Sequence, residues 1–73
     1  MSNKITGKVK FFDKGKGFGF IHPDNGGDDV FVHMTAVRDA HYDDLKQGDA
    51  VEFEKKEGKK PGKFQAENLR IIN

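Results

Sequence analysis

Lys16-Gly17-Phe18-Gly19-Phe20-Ile21 and Val30-Phe31-Val32-His33-Met34 decide how this chain folds, because each stretch sets a ring at every second position. Successive side chains of a strand point to opposite faces, so Phe18 and Phe20 share one face, and Phe31 and His33 share one face of the next strand. Val30, Val32 and Ile21 fall in the opposite phase and supply a separate aliphatic set for the core. The rings are not needed inside, and a flat aromatic surface is expected. The rival arrangement, with Phe18, Phe20 and Phe31 in the core of an ordinary sandwich, would turn Ile21, Val30 and Val32 to water. Register does not allow both faces inside so small a domain.

Around these stretches, turn residues recur at short intervals between runs of two-residue period, which predicts an antiparallel all-β domain. The first strand is expected over residues 4–13, followed by a turn at Lys14-Gly15 and a second strand over 16–22. His22-Pro23-Asp24-Asn25-Gly26-Gly27-Asp28 is dense in turn formers, and a third strand follows from Asp29 to Met34. Residues 35–48 lose the alternation and read as a long connection with one helical turn around Thr35-Ala36-Val37, from which Val37 and Leu45 cap the core. The fourth strand, Ala50 to Lys56, alternates Val51 and Phe53 with Glu52 and Glu54. The fifth runs from Phe64 to Ile72 beyond a basic turn at Glu57-Gly58-Lys59-Lys60-Pro61-Gly62-Lys63. Five strands in a three-plus-two arrangement suit a small Greek-key barrel, since closure removes exposed edges.

Seventy-three residues make one expected domain, 1–73, which buries only about 60% of its unfolded surface, so a large enclosed catalytic cavity is not expected. The chain has no cysteine and three histidines, His22, His33 and His41, widely spaced, which excludes a disulfide framework or thiolate metal site; no cofactor is expected. The N-terminus lacks the apolar run of a signal peptide, and no segment approaches the roughly 20 apolar residues that span a bilayer. A soluble cytoplasmic protein without membrane contact is expected.

Net charge is only +1, but the charges are segregated. Residues 1–21 hold five lysines and one aspartate, 22–54 hold two basic residues against nine carboxylates, and 55–73 hold six basic residues against two glutamates. If the first and last segments share one side of the fold, that side is basic; alternatively, these lysines merely solubilise strand edges.

Lys10-Phe11-Phe12, the Lys16 to Ile21 stretch and the Val30 to Met34 stretch resemble the first-strand and the two ribonucleoprotein-type motifs of bacterial cold-shock proteins. The motif separation, the Pro23-Asp24 turn, the Tyr42 loop and Gln65-Ala66-Glu67-Asn68 also match, so the similarity covers nearly the whole chain. The resemblance implies a five-stranded OB-fold barrel that binds single-stranded RNA and single-stranded DNA and acts as an RNA chaperone. Carried over residue by residue, it implies a ring platform of Phe11, Phe12, Phe18, Phe20, Phe31, His33 and Tyr42, with Lys10, Lys16 and Lys60 on the phosphates. Met34 stands where the family commonly has phenylalanine and offers a thioether in place of a ring. Phe11 stands where it usually has tryptophan, and Asp13 where it usually has asparagine.

The residues lead to nucleic acid without that resemblance. Exposed ring faces stack on bases at about 1–3 kcal/mol per base, and every base has a π-face, so such binding tolerates sequence variation. Phe12 adjoins Phe11, so regular alternation puts one of the two inside unless a bulge exposes both. An enzyme would have to draw on His22 with Asp24, Asp28 and Asp29, which lack a nucleophile–base–orienter pattern and metal-ligand spacing and lie mostly in a glycine-rich turn. A protein-docking role for the aromatic patch is disfavoured by its lysines, which protein interfaces tend to exclude. Asp13, Asp24, Asp28 and Asp29 are read as turn formers and solvated charges. A monomer is expected, with dimerisation by edge pairing or strand exchange left open.

Overall fold

The computed structural model describes residues 4–57 and 64–72. The elements are β1 (Lys4–Asp13), β2 (Phe18–Pro23), β3 (Val30–His33), α1 (Met34–Asp39), β4 (Ala50–Glu57) and β5 (Phe64–Ile71). The strands close into a barrel in the order β1-β2-β3-β5-β4. Four of its ladders are antiparallel, as the hairpin spacing requires, but β3 and β5 run parallel and pair through Phe31 and Gln65. The expectation of an all-antiparallel barrel is corrected there, because β5 arrives from β4 and closes on β3 in the only direction left to it.

The aliphatic phase fills the barrel. Ile21, Val30 and Val32 are buried together with Val9, Val51, Phe53, Ala66 and Leu69, and Val37 and Leu45 close one end from α1 and the connection that follows. Their removal from water is the main term that holds so small a domain together.

Two boundaries differ from the sequence reading for reasons of backbone geometry. β2 begins at Phe18, not at Lys16, because Gly17 takes φ 82°, a left-handed conformation that ends strand pairing. The turn is closed by Gly17 N–H donating to the Asp13 carbonyl at 2.7 Å and Lys16 N–H donating to Asp13 Oδ1 at 3.0 Å. β3 ends at His33, not at Met34, because His33 caps α1: its Nδ1 accepts the Thr35 backbone N–H at 3.2 Å.

β1 carries a bulge. Val9 pairs with Ile21 and Phe11 pairs with Phe20, so Lys10 is the extra residue. A one-residue slip reverses the face of everything beyond it. Val9 therefore points into the core while Phe11, two residues on, points out with 41% of its surface exposed.

Candidate nucleic-acid interface

The bulge at Lys10 and the phase of β2 and β3 bring five rings onto one outer face. Phe11 lies 5.6 Å from Phe20 and 6.5 Å from Phe18, centroid to centroid. Phe31 lies 5.9 Å from both Phe18 and Phe20, and His33 lies 6.3 Å from Phe31. The pairs meet at interplanar angles of 40° to 78°, edge-on or tilted, as ring quadrupoles prefer. The expected flat surface is thus a set of inclined facets. Phe18, Phe20 and Phe31 are half-buried, while Phe11 and His33 are exposed.

Gly19 makes this surface possible from beneath. It sits on the inward phase between Phe18 and Phe20, and a Cβ there would run into the Phe11 carbonyl oxygen and lie 2.7 Å from Phe12 Cα. Only glycine lets β1 and β2 approach so closely. The same geometry places Phe12: its ring carbon would lie 2.8 Å from a Cβ at Gly19, on the inner side.

Phe12 and Tyr42 therefore depart from the platform that the resemblance implied. Both are half-buried and pack against the core, and the bulge turns Phe11 out without exposing Phe12. Tyr42 is held by its hydroxyl, which accepts the Ile71 backbone N–H at 3.1 Å. Met34 opens α1 beside the β1–β2 turn, its N–H donating to the Gly17 carbonyl at 2.8 Å, which sets its half-buried side chain near the turn that carries Lys16. Lys60 lies outside the described residues.

Of the two readings of the charge pattern, one basic side or lysines spread along strand edges, the described residues favour the second. β4 separates β1 from β5, and Lys4, Lys8 and Lys10 face Glu52, Asp24 and Asp29 of the acidic middle segment at 3.7, 3.9 and 3.0 Å. Opposite charges are interleaved around the described surface. Lys16 is exposed in the turn, and among the described residues no carboxylate pairs with its ammonium.

Asp29 is the residue whose role the sequence reading missed. The sequence reads it as a turn former and solvated charge, yet its carboxylate joins His22 Nδ1 at 2.9 Å to the Lys10 ammonium at 3.0 Å. The hydrogen bond from His22, then that from Lys10, holds its carboxyl below the usual aspartate range. The signal lay in the phase: Asp29 stands just before β3 in the same two-residue phase as the outward Phe31 and His33. Phe64 was assigned to neither core nor face, and it is an exposed ring with Lys55 Nζ 4.4 Å from its centroid. Among the described residues no group of three or more His, Cys, Asp or Glu is placed to hold a metal ion, and no helix is long and apolar enough to cross a membrane.

A five-stranded barrel that wears connected rings on its outer face defines a class: small OB-type barrels that bind nucleic acid. The sequence matches the family described as the 'Cold-shock' DNA-binding domain over residues 5–72, and the chain belongs to that family. It is 55% identical over 60 residues to a cold shock-like protein CspB of Yersinia pestis, covering 82% of this chain and 86% of the relative. It is 52% identical over 69 residues to a cold shock-like protein CspG of Shewanella violacea, covering 94% and 96%. A probable cold shock protein of Sinorhizobium fredii, y4cH, is 49% identical over 65 residues, covering 89% and 94%. Nucleic-acid binding is accordingly the function of this domain.

Proposed function

We propose that the chain binds single-stranded RNA and single-stranded DNA by stacking unpaired bases on Phe11, Phe18, Phe20, Phe31 and His33, with Met34 at the margin of this platform. Lys10, Lys16 and Lys60 neutralise phosphates, and Phe12 and Tyr42 support the platform from the core side. The observation that carries this reading is the continuous set of ring contacts from Phe11 through Phe20 and Phe31 to His33 on the outer face of a barrel whose core is filled without them.

The action follows from binding alone. A protein that binds unpaired strands better than paired ones shifts the equilibrium of a folded RNA toward the open form, with no nucleotide hydrolysis and no catalytic group. The protein is on this reading a monomeric, cytoplasmic RNA chaperone that affects transcription or translation by keeping transcripts open.

The test is a fluorescence-anisotropy titration of labelled single-stranded and duplex oligonucleotides, RNA and DNA, at two salt concentrations. Single strands of both kinds bind more tightly than duplexes of the same sequence. A preference for duplex refutes the stacking account. Opening of a fluorophore–quencher RNA hairpin on addition of protein, without ATP, tests the chaperone step, and an unchanged hairpin population at saturating protein refutes it.

A further inference from the structure

The rings account for one side of His33; its other side borders a recess. Among the described residues β3 and β5 pair through Phe31 and Gln65, after which β3 gives way to α1 while β5 runs on. The divergence leaves an open cleft of about 210 Å³, lined by His33, Thr35, Asp39, Gln65, Glu67 and Asn68. Pockets for drug-sized ligands run to about 300–1,000 Å³, so this one suits a single planar group and not a whole nucleotide.

Its chemistry is set by phase and by hydrogen bonding. Ala66 is buried, so Gln65 and Glu67 both point outward, and two positions beyond the Phe31–Gln65 pair lie His33 and Glu67. The Gln65 amide donates from Nε2 to Glu67 Oε2 at 3.2 Å. That bond leaves the second carboxylate oxygen of Glu67 and the Gln65 carbonyl as acceptors, and Asp39 adds a carboxylate on the α1 side. His33 Nδ1 accepts the Thr35 N–H at 3.2 Å and lies 3.1 Å from Thr35 Oγ1, so the imidazole is fixed in orientation. The recess is thus a wall of acceptors beside an oriented ring. Two carboxylates repel phosphate, so what enters must be the edge of a base that offers hydrogen-bond donors.

We infer that this cleft reads the Watson–Crick edge of the base that stacks on His33, and that it selects guanine. Guanine is the one common base with two adjacent donors on that edge, N1–H and the N2 amino group, to match the two acceptors left open, the second Glu67 oxygen and the Gln65 carbonyl oxygen. Uracil and thymine present one donor between two carbonyl oxygens, and those oxygens face the carboxylate unfavourably. Adenine and cytosine each offer one amino donor beside an acceptor. The inference rests on the stacking function proposed above and adds base choice to it.

The experiment uses the full chain and labelled hexauridylates in which one guanosine is moved through successive positions. A paired contact of this kind discriminates by about tenfold or more, so one register of guanosine binds about tenfold tighter than hexauridylate. Glu67→Ala and Glu67→Gln bring that ratio to near one, while Glu67→Ala also tightens binding of hexauridylate by removing the charge that faces uracil. Because the readout is a ratio of affinities on the same protein sample, partial unfolding does not alter it. Equal affinity for every guanosine register and for hexauridylate overturns the cleft assignment and leaves stacking intact. A ratio that persists in Glu67→Ala likewise overturns it. Failure of the wild-type chain to bind hexauridylate or any guanosine register overturns the stacking reading and the cleft together.

Discussion

Replacing Phe31 and its neighbour Val32 separates the two faces of β3 more cleanly than any other pair. Phe31 meets Phe18 and Phe20 at 5.9 Å and His33 at 6.3 Å on the outer face, while Val32 is fully buried. Phe31→Ala removes a stacking station, worth about 1–3 kcal/mol of binding, or a loss of about 5- to 150-fold in affinity. It also removes ring–ring contacts worth about 0.5 kcal/mol each at a half-exposed site, so folding loses about 1.5 kcal/mol. Val32→Ala deletes two methyl-sized groups at about 0.8 kcal/mol each and leaves a cavity, for about 2–3 kcal/mol of folding free energy. At about 4–8 °C per kcal/mol for a domain of this size, that loss lowers Tm by roughly 8–24 °C. Binding by the folded Val32→Ala protein stays within about twofold, since the change is on the inner face. Anisotropy with labelled single strands, measured in the cold so that both variants are folded, gives the first quantity. Urea unfolding followed by far-ultraviolet circular dichroism gives the second, because the chain has no tryptophan to report. A folded Phe31→Ala that binds as tightly as wild type refutes the face assignment.

Tyr42→Phe removes the acceptor of the Ile71 N–H and costs about 1 kcal/mol of folding free energy in urea titrations, with oligonucleotide affinity unchanged. A binding loss with unaltered stability would return Tyr42 to the platform. If Lys10, Lys16 and Lys60 each neutralise one phosphate, log affinity falls with log salt at a slope near −2, from about −0.7 per contact, and Lys16→Ala makes the slope shallower by about 0.7. An identical slope in that variant removes Lys16 from the interface. The carboxyl of Asp29 titrates lower in the folded chain than in the unfolded one, so its contribution is present above the unfolded value and fades as pH falls through the folded one. Asp29→Asn therefore narrows its stability deficit against wild type as pH drops through the acid range, and a deficit that stays constant across that range contradicts the Lys10–Asp29–His22 arrangement.

The two-residue period was legible wherever a strand stays regular. It separated Phe18, Phe20, Phe31 and His33 from Ile21, Val30 and Val32, and it assigned Phe53 to the core, because phase is a local property of the chain. It could not say which of Phe11 and Phe12 turns inward, because that depends on a bulge that exists only once β1 pairs with β2. It placed Met34 in β3, because a histidine whose ring nitrogen caps a helix is outside the usual Ser, Thr, Asp and Asn signals. The parallel meeting of β3 and β5, and the cleft it leaves, follow from barrel closure between segments more than thirty residues apart. Charge segregation was visible in the chain, but strand order converts it into interleaved pairs such as Lys8–Asp24 and Lys10–Asp29.

If bases stack as proposed, that interleaving bears on how the domain would tell single strands from duplexes. A uniformly basic face would attract any polyphosphate, and the attraction would grow with charge density, which is higher on a duplex. Here the net charge is +1 and Lys10, next to Phe11 in the chain, must share its charge between Asp29 and a phosphate, so the charge term is weakened for either ligand. The inclined rings add a second term that is open only to bases whose faces are free, at about 1–3 kcal/mol for each base stacked. Duplex bases already stack on each other and gain nothing from Phe18, Phe20 or Phe31. Keeping the common electrostatic term low is what lets the stacking term decide between the two. A variant that frees Lys10, such as Asp29→Asn, is therefore expected to bind duplex and single strands more tightly but to discriminate between them less, and parallel titrations of both ligands against wild type measure that loss. Unchanged or improved discrimination in that variant would show that charge pairing has no part in selectivity.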